Sequence, residues 1–234
     1  MKKYIIKYLL ESIVLVTGIT ISFWINQISI DKETKGERSR VINSLLSEVE
    51  EIEKYSLEKL KIWNQDVEIY SQLLKKDIDI ELIQNIAISK SRVEYNLIYY
   101  RDFSPPNNRY ESMVNTGALK FINSEKINDA LTRLHNQDLN MVRSTVEYEK
   151  SLKTKLINIL TSKHPKIILA AENNEVSLSN YLNSLNGLFQ RDQEVRTELL
   201  IQMRYFKTRI SSLKYYLITL DELKDALKID MKIN

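Results

Sequence analysis

Apolar and polar positions divide this chain into one run with no polar stripe and several with an apolar stripe at helical spacing. Residues 12–25 carry no charge, and β-branched Ile, Val and Thr occupy the whole circumference. Extended to residues 8–30, the run reaches the roughly 20 mostly apolar helical residues that cross a hydrocarbon core about 30 Å thick. It predicts a single-pass membrane anchor over residues 1–30. Tyr4 and Tyr8 on one side and Trp24 on the other stand where amphipathic rings mark the two interfaces. No small-x-small cleavage site follows the run, which favours a retained anchor over a cleaved signal.

Two features inside the run are candidates for helix contacts in the membrane. Gly18 and Ser22 have the four-residue spacing that lets helices approach closely. Glu11 is an ionisable group at the edge of the hydrocarbon, which needs a partner or the headgroup layer; Lys7, one turn earlier, could supply it. Lys2, Lys3 and Lys7 before the run are nearly balanced by Lys32, Lys35, Arg38 and Arg40 after it. A short basic N-terminus before a first apolar helix predicts a cytoplasmic N-terminus, an inner-membrane location and a periplasmic body.

Beyond residue 31 the pattern changes to steps of three and four. Ile42, Leu45, Val49, Ile52, Ser56, Leu60, Trp63, Val67, Tyr70 and Leu74 form a coiled-coil-like seam, with two successive steps of four around Ser56 that should unwind it locally. Glu48, Glu50, Glu51, Glu53 and Lys54 read as the solvated opposite face. The clearest seam is the last: Leu199, Met203, Phe206, Ile210, Leu213, Leu217, Leu220 and Leu227, interrupted only at Lys224. Long helices are predicted over about 31–76, 124–162 and 188–229, and short ones over about 78–103, 108–116 and 177–186. In the third region Met141, Tyr148 and Leu152 are assigned to the apolar face with Val142, Leu156 and Leu160. Pro105 breaks the chain after Ser104, Gly117 suits a left-handed helix end, and Ser124 and Ser177 suit helix caps. Tyr95, Tyr99, Tyr100 and Phe103 at helical spacing read as a core layer. The fold class is all-α: one transmembrane helix continuing into an elongated antiparallel bundle, with residues 31–234 as the helical body.

Composition sharpens this picture. Only 4 Gly and 3 Pro in 234 residues, with 43% hydrophobic and 28% charged residues, favour few, long helices over strands that need many turns. Without the three lysines before the run and Glu11, the totals of 34 basic and 31 acidic residues leave the body close to neutral, with no basic excess for nucleic acid. The absence of cysteine excludes disulfides and Cys-ligated metal.

Two stretches resemble a known family. ESIVLVTGITISFWIN, residues 11–26, resembles the anchor of an uncharacterised bacterial single-pass membrane family, a domain of unknown function. That anchor carries an acidic residue, an Ile/Val/Leu run, a Gly-Ile pair and an Ile-Asn exit. YESMVNTGALKFINSEKINDAL, residues 110–131, resembles its second landmark, a short helix ending in Gly before a polar helix start. Phe23 and Trp24 depart from the small and polar residues usual before Ile-Asn. The resemblance implies a membrane setting in Gram-negative bacteria and carries over no catalytic residue.

Candidate chemistry is sparse. His135 and His164 are the only histidines, too few for a usual hydrolytic zinc site, and neither a Gly-rich phosphate loop nor a nucleophile elbow occurs. His135 reads as a helix-surface or boundary residue and His164 as a helix-end group favoured by the dipole. No catalytic, metal or cofactor residue is therefore assigned, and the chain is not expected to be an enzyme. Its expected partners are the lipid bilayer and a protein, another copy of the chain included. The alternative is a sensor-like ligand-binding bundle in which Tyr99, Tyr100, Arg101, Arg109 and Tyr110 line a pocket around the Pro-Pro break.

Overall fold

The computed structural model describes residues 2–233, with side chains for 13–232. Glu11 and its pairing with Lys7 fall outside the described side chains. The fold is all-α, with no strand among the described residues. Helix α1, Lys2–Leu73, joins the apolar run to the first seam without a break. Residues 13–36 are exposed throughout, and burial begins at Val41. One helix near the N-terminus is thus long and apolar enough to cross a membrane. Thr17, Thr20 and Ser22 each donate a hydroxyl hydrogen bond to the carbonyl four residues earlier, which removes the cost of carrying these groups into hydrocarbon.

Short helices α2 (Ile80–Ile86), α3 (Lys90–Ile98) and α4 (Asn108–Thr116) follow. A 3₁₀ turn, Ala118–Phe121, leads to α5, Glu125–Thr132, which continues through a π-helical turn, Arg133–Asp138, into α6, Leu139–Lys163. Then come α7 (Pro165–Glu172), α8 (Leu178–Arg191) and α9 (Gln193–Ile233). Antiparallel α9 packs along both α1 and α6, forming the body of the bundle.

Local signals set many of the boundaries. Ser124 and Ser177 accept from the backbone N–H three residues on, and Gly117 takes φ 70, a left-handed conformation in which a Cβ would be strained. Four boundaries differ from the sequence expectation. The stretch over about 78–103 divides into α2 and α3, capped by the side chains of Asp79 and Ser89, and is extended from Tyr99 on. Residues 165–172 are helical, because Pro165 sits in the first turn, where its missing N–H costs nothing. Helix α8 runs on to Arg191, and the last helix starts at Gln193 rather than 188. Asp192 decides the break: its Oδ1 accepts from the N–H groups of Glu194 and Val195, capping α9.

Both seams face the interior. Ile42, Leu45, Val49, Ile52, Trp63 and Tyr70 of α1, Leu74 in the turn after it, and Leu199, Phe206, Ile210, Leu213, Leu220 and Leu227 of α9 are buried. At Ser56, buried but small, α1 stays α-helical, so the shift of the seam causes no break. Lys224 reaches out of the α9 seam to Glu53 of α1.

The aromatic expectation needs correction. Only Phe103 enters the core, packed at 5.5–5.8 Å ring separations on Tyr55, Trp63 and Tyr216. Tyr95, on the outer face of α3, and Tyr99 and Tyr100, in the extended segment after α3 ends at Ile98, remain exposed. Ser104 N–H donates to the Tyr55 hydroxyl, and Lys59 donates to the Asp102 carbonyl, so this segment is tied to α1. In α6, Tyr148 and Met141 are exposed and Leu152 is half-buried, while Glu149 and Lys153 occupy the interior face.

Candidate functional site: a polar layer between two apolar cores

The buried apolar residues form two cores. One joins Val41–Trp63 of α1 to α5, the start of α6 and the end of α9; the other joins Ile69–Leu74 to α2, α3, α7, α8 and the start of α9. Between them lies a layer of charged and polar side chains from four helices: Asp66 and Tyr70 of α1, Asn96 of α3, Glu149 and Lys153 of α6, and Gln202 and Arg209 of α9.

At its inner end Arg209 pairs with Glu149, both side chains 3% exposed or less. The Arg209 guanidinium lies between two rings, 4.2 Å from the Trp63 centroid and 4.8 Å from that of Phe206, so the face left without an anion rests on π-density. Its Nε and Nη2 have no hydrogen-bond partner. Burial pulls the guanidinium below its usual range, and Glu149 opposes this. Glu149 is itself raised by burial, which outweighs the neighbouring Arg209 and Lys153.

Lys153 stands next along the layer. Its Nζ donates to the Asn96 carbonyl and to the Tyr70 hydroxyl at 2.7 Å, and Glu149 lies 4.0 Å away. Full burial brings this amine down to about 7, with Glu149 and Asp66 opposing. The Tyr70 hydroxyl has acceptors at the Asn96 carbonyl, 2.6 Å, and Gln202 Oε1, 3.0 Å. Removal from water pushes that phenol well above its ordinary value.

The outer end reaches the surface. Asp66, 2% exposed, receives Arg92 Nη2 at 2.5 Å and Arg101 Nε at 2.6 Å. Arg101 also covers the Tyr95 ring at 4.6 Å, and Tyr95 stacks on Tyr99 at 4.9 Å. Ile62, Gln65, Ser91, Arg92, Tyr95 and Arg101 line a groove of about 380 Å³ over this end. With Arg92 and Arg101 at its outer end, the layer sets three guanidinium groups and the Lys153 amine against the carboxyls of Asp66 and Glu149. Chemically, a lysine near neutrality is a base or nucleophile, but this amine is 2% exposed and enclosed by its own partners. What the layer does is fix the relative register of α1, α3, α6 and α9, since any axial slip would strand a buried charge.

The expected ligand patch divides. Tyr99, Tyr100 and Arg101 lie beside the Asp66 layer, with Lys150 over the Tyr100 ring. Arg109 and Tyr110 lie back along α1, where Arg109 forms a two-pronged pair with Glu51. The fifteen residues from Glu51 to Asp66 span about 22 Å of helix at ~1.5 Å each. Neither Arg109 nor Tyr110 lines the groove over the Asp66 end.

Glu48, expected on the solvated face, is 2% exposed and caps α4 from across the bundle, accepting from the N–H groups of Arg109 and Tyr110. Asn107 makes no cap bond of its own. Burial raises the Glu48 carboxyl, with those two N–H groups opposing. Tyr110 stacks flat on His135 at 3.8 Å in the π-helical turn, and burial lowers His135 to about 4. His164, at the end of α6, meets Asp192 at 2.7 Å.

Gly18 and Ser22 line a shallow groove of about 480 Å³ on α1 with Val14, Leu15, Ile19, Phe23 and Asn26, and nothing approaches within 4 Å of a Cβ built on Gly18. Among the described residues no group of three or more His, Cys, Asp or Glu is placed to hold a metal. Comparison with protein-family models, curated proteins and solved structures finds no match.

Proposed function

We propose that this chain is a membrane-anchored helical interaction module of the bacterial envelope, without catalytic activity. The observation that carries this reading is α1 itself: a single helix exposes an unpartnered apolar run at one end and supplies core seam residues at the other. Rotation, tilt or pairing of the run through Gly18 and Ser22 is then transmitted to the bundle through continuous helix. The resemblance to the uncharacterised bacterial family and the lysines that precede the apolar run support an inner-membrane anchor with a cytoplasmic N-terminus and periplasmic body.

Crosslinking in native membranes, with identification of whatever is captured and Gly18→Leu as control, tests the proposal. Capture of a second copy or a defined protein, lost in Gly18→Leu, is expected. Recovery of monomer alone refutes it. A reporter fused after Asn234 tests topology, and cytoplasmic activity there refutes the periplasmic placement.

The groove lined by Arg92, Arg101 and Tyr95 favours a second reading, a bundle that senses a small anionic ligand and signals through a partner. Stabilisation of the purified chain by a small carboxylate, abolished by Arg101→Gln, would select it.

A further inference from the structure

We propose that the groove between α1 and α3 takes a monocarboxylate with an apolar body, and that seating this ligand draws a proton onto Lys153. This rests on the ligand-sensing reading of the groove, and adds the ligand class and the effect of binding on the bundle.

The lining sets the ligand chemistry. Ile62 and Gln65 of α1, Ser91, Arg92 and Tyr95 of α3, and Arg101 surround about 380 Å³. Asp66 accepts from Nη2 of Arg92 and from Nε and Nη2 of Arg101, so both guanidinium groups are held in place before any ligand arrives. One carboxylate does not offset two guanidinium charges, and Nη1 of each arginine has no acceptor among the described residues. A single negative charge restores neutrality at this end of the layer. Both faces of the Tyr95 ring are taken, by Arg101 at 4.6 Å and by Tyr99 at 4.9 Å, so its edge and Ile62 form the apolar side of the groove. A bare inorganic anion leaves that side in water, whereas an apolar body covers it.

The layer behind the groove supplies the coupling. Asn96 joins the two: its side-chain amide donates to the Asp66 carbonyl at 3.1 Å, and its own carbonyl accepts from Lys153 Nζ and from the Tyr70 hydroxyl. Lys153 faces Asp66 and Tyr70 of α1, the Asn96 carbonyl of α3, Arg101, Glu149 of its own helix and Arg209 of α9. Burial brings the amine down to about 7; Glu149 and Asp66 favour its charged form, and Arg209 and Arg101 oppose it. With the amine neutral, three guanidinium groups still stand against two carboxyls. A ligand carboxylate beside Arg101 cancels part of the field that keeps the proton off Lys153, so the ammonium form gains. Asp66 and Lys153 are both buried, which leaves this interaction little screened by salt. Reciprocity requires the converse: a proton on Lys153 tightens the ligand.

The full chain in maltoside micelles is titrated calorimetrically with 3-phenylpropionate in MOPS and in Tris, whose ionisation heats differ, so the difference in heat counts protons. At about pH 7.5 roughly 0.3–0.5 proton should be taken up per ligand, and affinity should fall roughly tenfold between about pH 6 and about pH 9. Lys153→Met should bind the ligand with neither proton uptake nor this pH dependence. Ser91→Glu adds a carboxylate at the groove in the first turn of α3, where it favours the helix, and should weaken binding roughly tenfold or more, while Ser91→Gln should not. Acetate should bind roughly tenfold more weakly than 3-phenylpropionate, for want of the apolar body. No binding at millimolar ligand, or binding that Ser91→Glu leaves unchanged, overturns the site and the sensing reading with it. Binding matched by acetate overturns the apolar-bodied class and leaves a simple anion groove. Binding without proton uptake, or uptake that persists in Lys153→Met, overturns the coupling and leaves the sensing reading standing.

Discussion

Replacing Lys153 by Met should abolish a pH dependence of stability that the wild-type chain shows above neutrality. Lys153 falls from an ordinary 10.5 to about 7 in the folded protein, chiefly through burial. Between those values the unfolded chain carries a proton on this amine that the folded chain does not. The unfolded state binds more protons there, so stability rises with pH across the window and is lost as pH falls through it. At about 1.4 kcal/mol per pH unit the full window amounts to roughly 4–5 kcal/mol. Glu149, which lies 4.0 Å from the amine and is raised by burial, contributes with the opposite sign. Tyr70, raised by burial, keeps its proton in the folded state and lowers stability only above its ordinary value of 10. The readable interval from about pH 7 to about pH 9.5 should hold roughly 3 kcal/mol, a shift in urea midpoint of about 1.5 M at an m-value of ~2 kcal/mol/M. Urea unfolding of the full chain in mild detergent, followed by Trp63 fluorescence in a Trp24→Phe background, measures it. Met matches the lysine stem in shape, and the Tyr70 hydroxyl keeps the Asn96 carbonyl. The variant's midpoint should be flat across this interval. An equal slope in both proteins would show that Lys153 stays ionised when folded and that the layer is better solvated than its geometry implies.

Three further outcomes follow from the same contacts. Glu149→Leu strands the Arg209 charge and should cost about 3–5 kcal/mol, most of it recovered in Glu149→Leu/Arg209→Met; a double variant no better than the single refutes the pairing. Glu48→Ala should cost about 1–2 kcal/mol and speed hydrogen exchange at the Arg109 and Tyr110 amides, with Glu48→Gln milder because its carbonyl still accepts. His135, lowered to about 4 by burial, is neutral when folded while the unfolded ring is charged below 6.5, so stability is lost as pH falls through that interval. Urea midpoints at pH 7 and about pH 4.5 should differ by up to ~3 kcal/mol in the wild type, and this component should vanish in His135→Phe.

Legibility in the sequence followed the range of the interaction. Gly117, Ser124, Ser177 and Pro105 act within a few residues, and their roles were readable from the chain alone. The α1 and α9 seams were readable because each is one periodic stripe. The polar layer was not, though it left a trace. In α6 the buried residues Val142, Val146, Glu149, Lys153, Leu156 and Leu160 step by four and three, so Glu149 and Lys153 stand at seam positions. Hydrophobicity alone favoured the neighbouring Tyr148 and Leu152, which point outward or are half-buried. Arg209 likewise falls between Phe206 and Leu213 on the α9 stripe. A charge at a seam position announces a partner but not which one.

By itself the sequence determined the all-helical class, the apolar run that is long enough to cross a membrane, and where most helices start and stop. These depend on side-chain periodicity, turn chemistry and the transfer free energy of apolar residues, all encoded locally. Tertiary structure alone decided that Glu48 caps α4, that Glu149 meets Arg209, that Arg101 and Arg109 serve different places, and that the end of α9 returns beside Arg38. Each joins residues tens of positions apart, and a charge gains or loses stability only through what the folded chain brings against it.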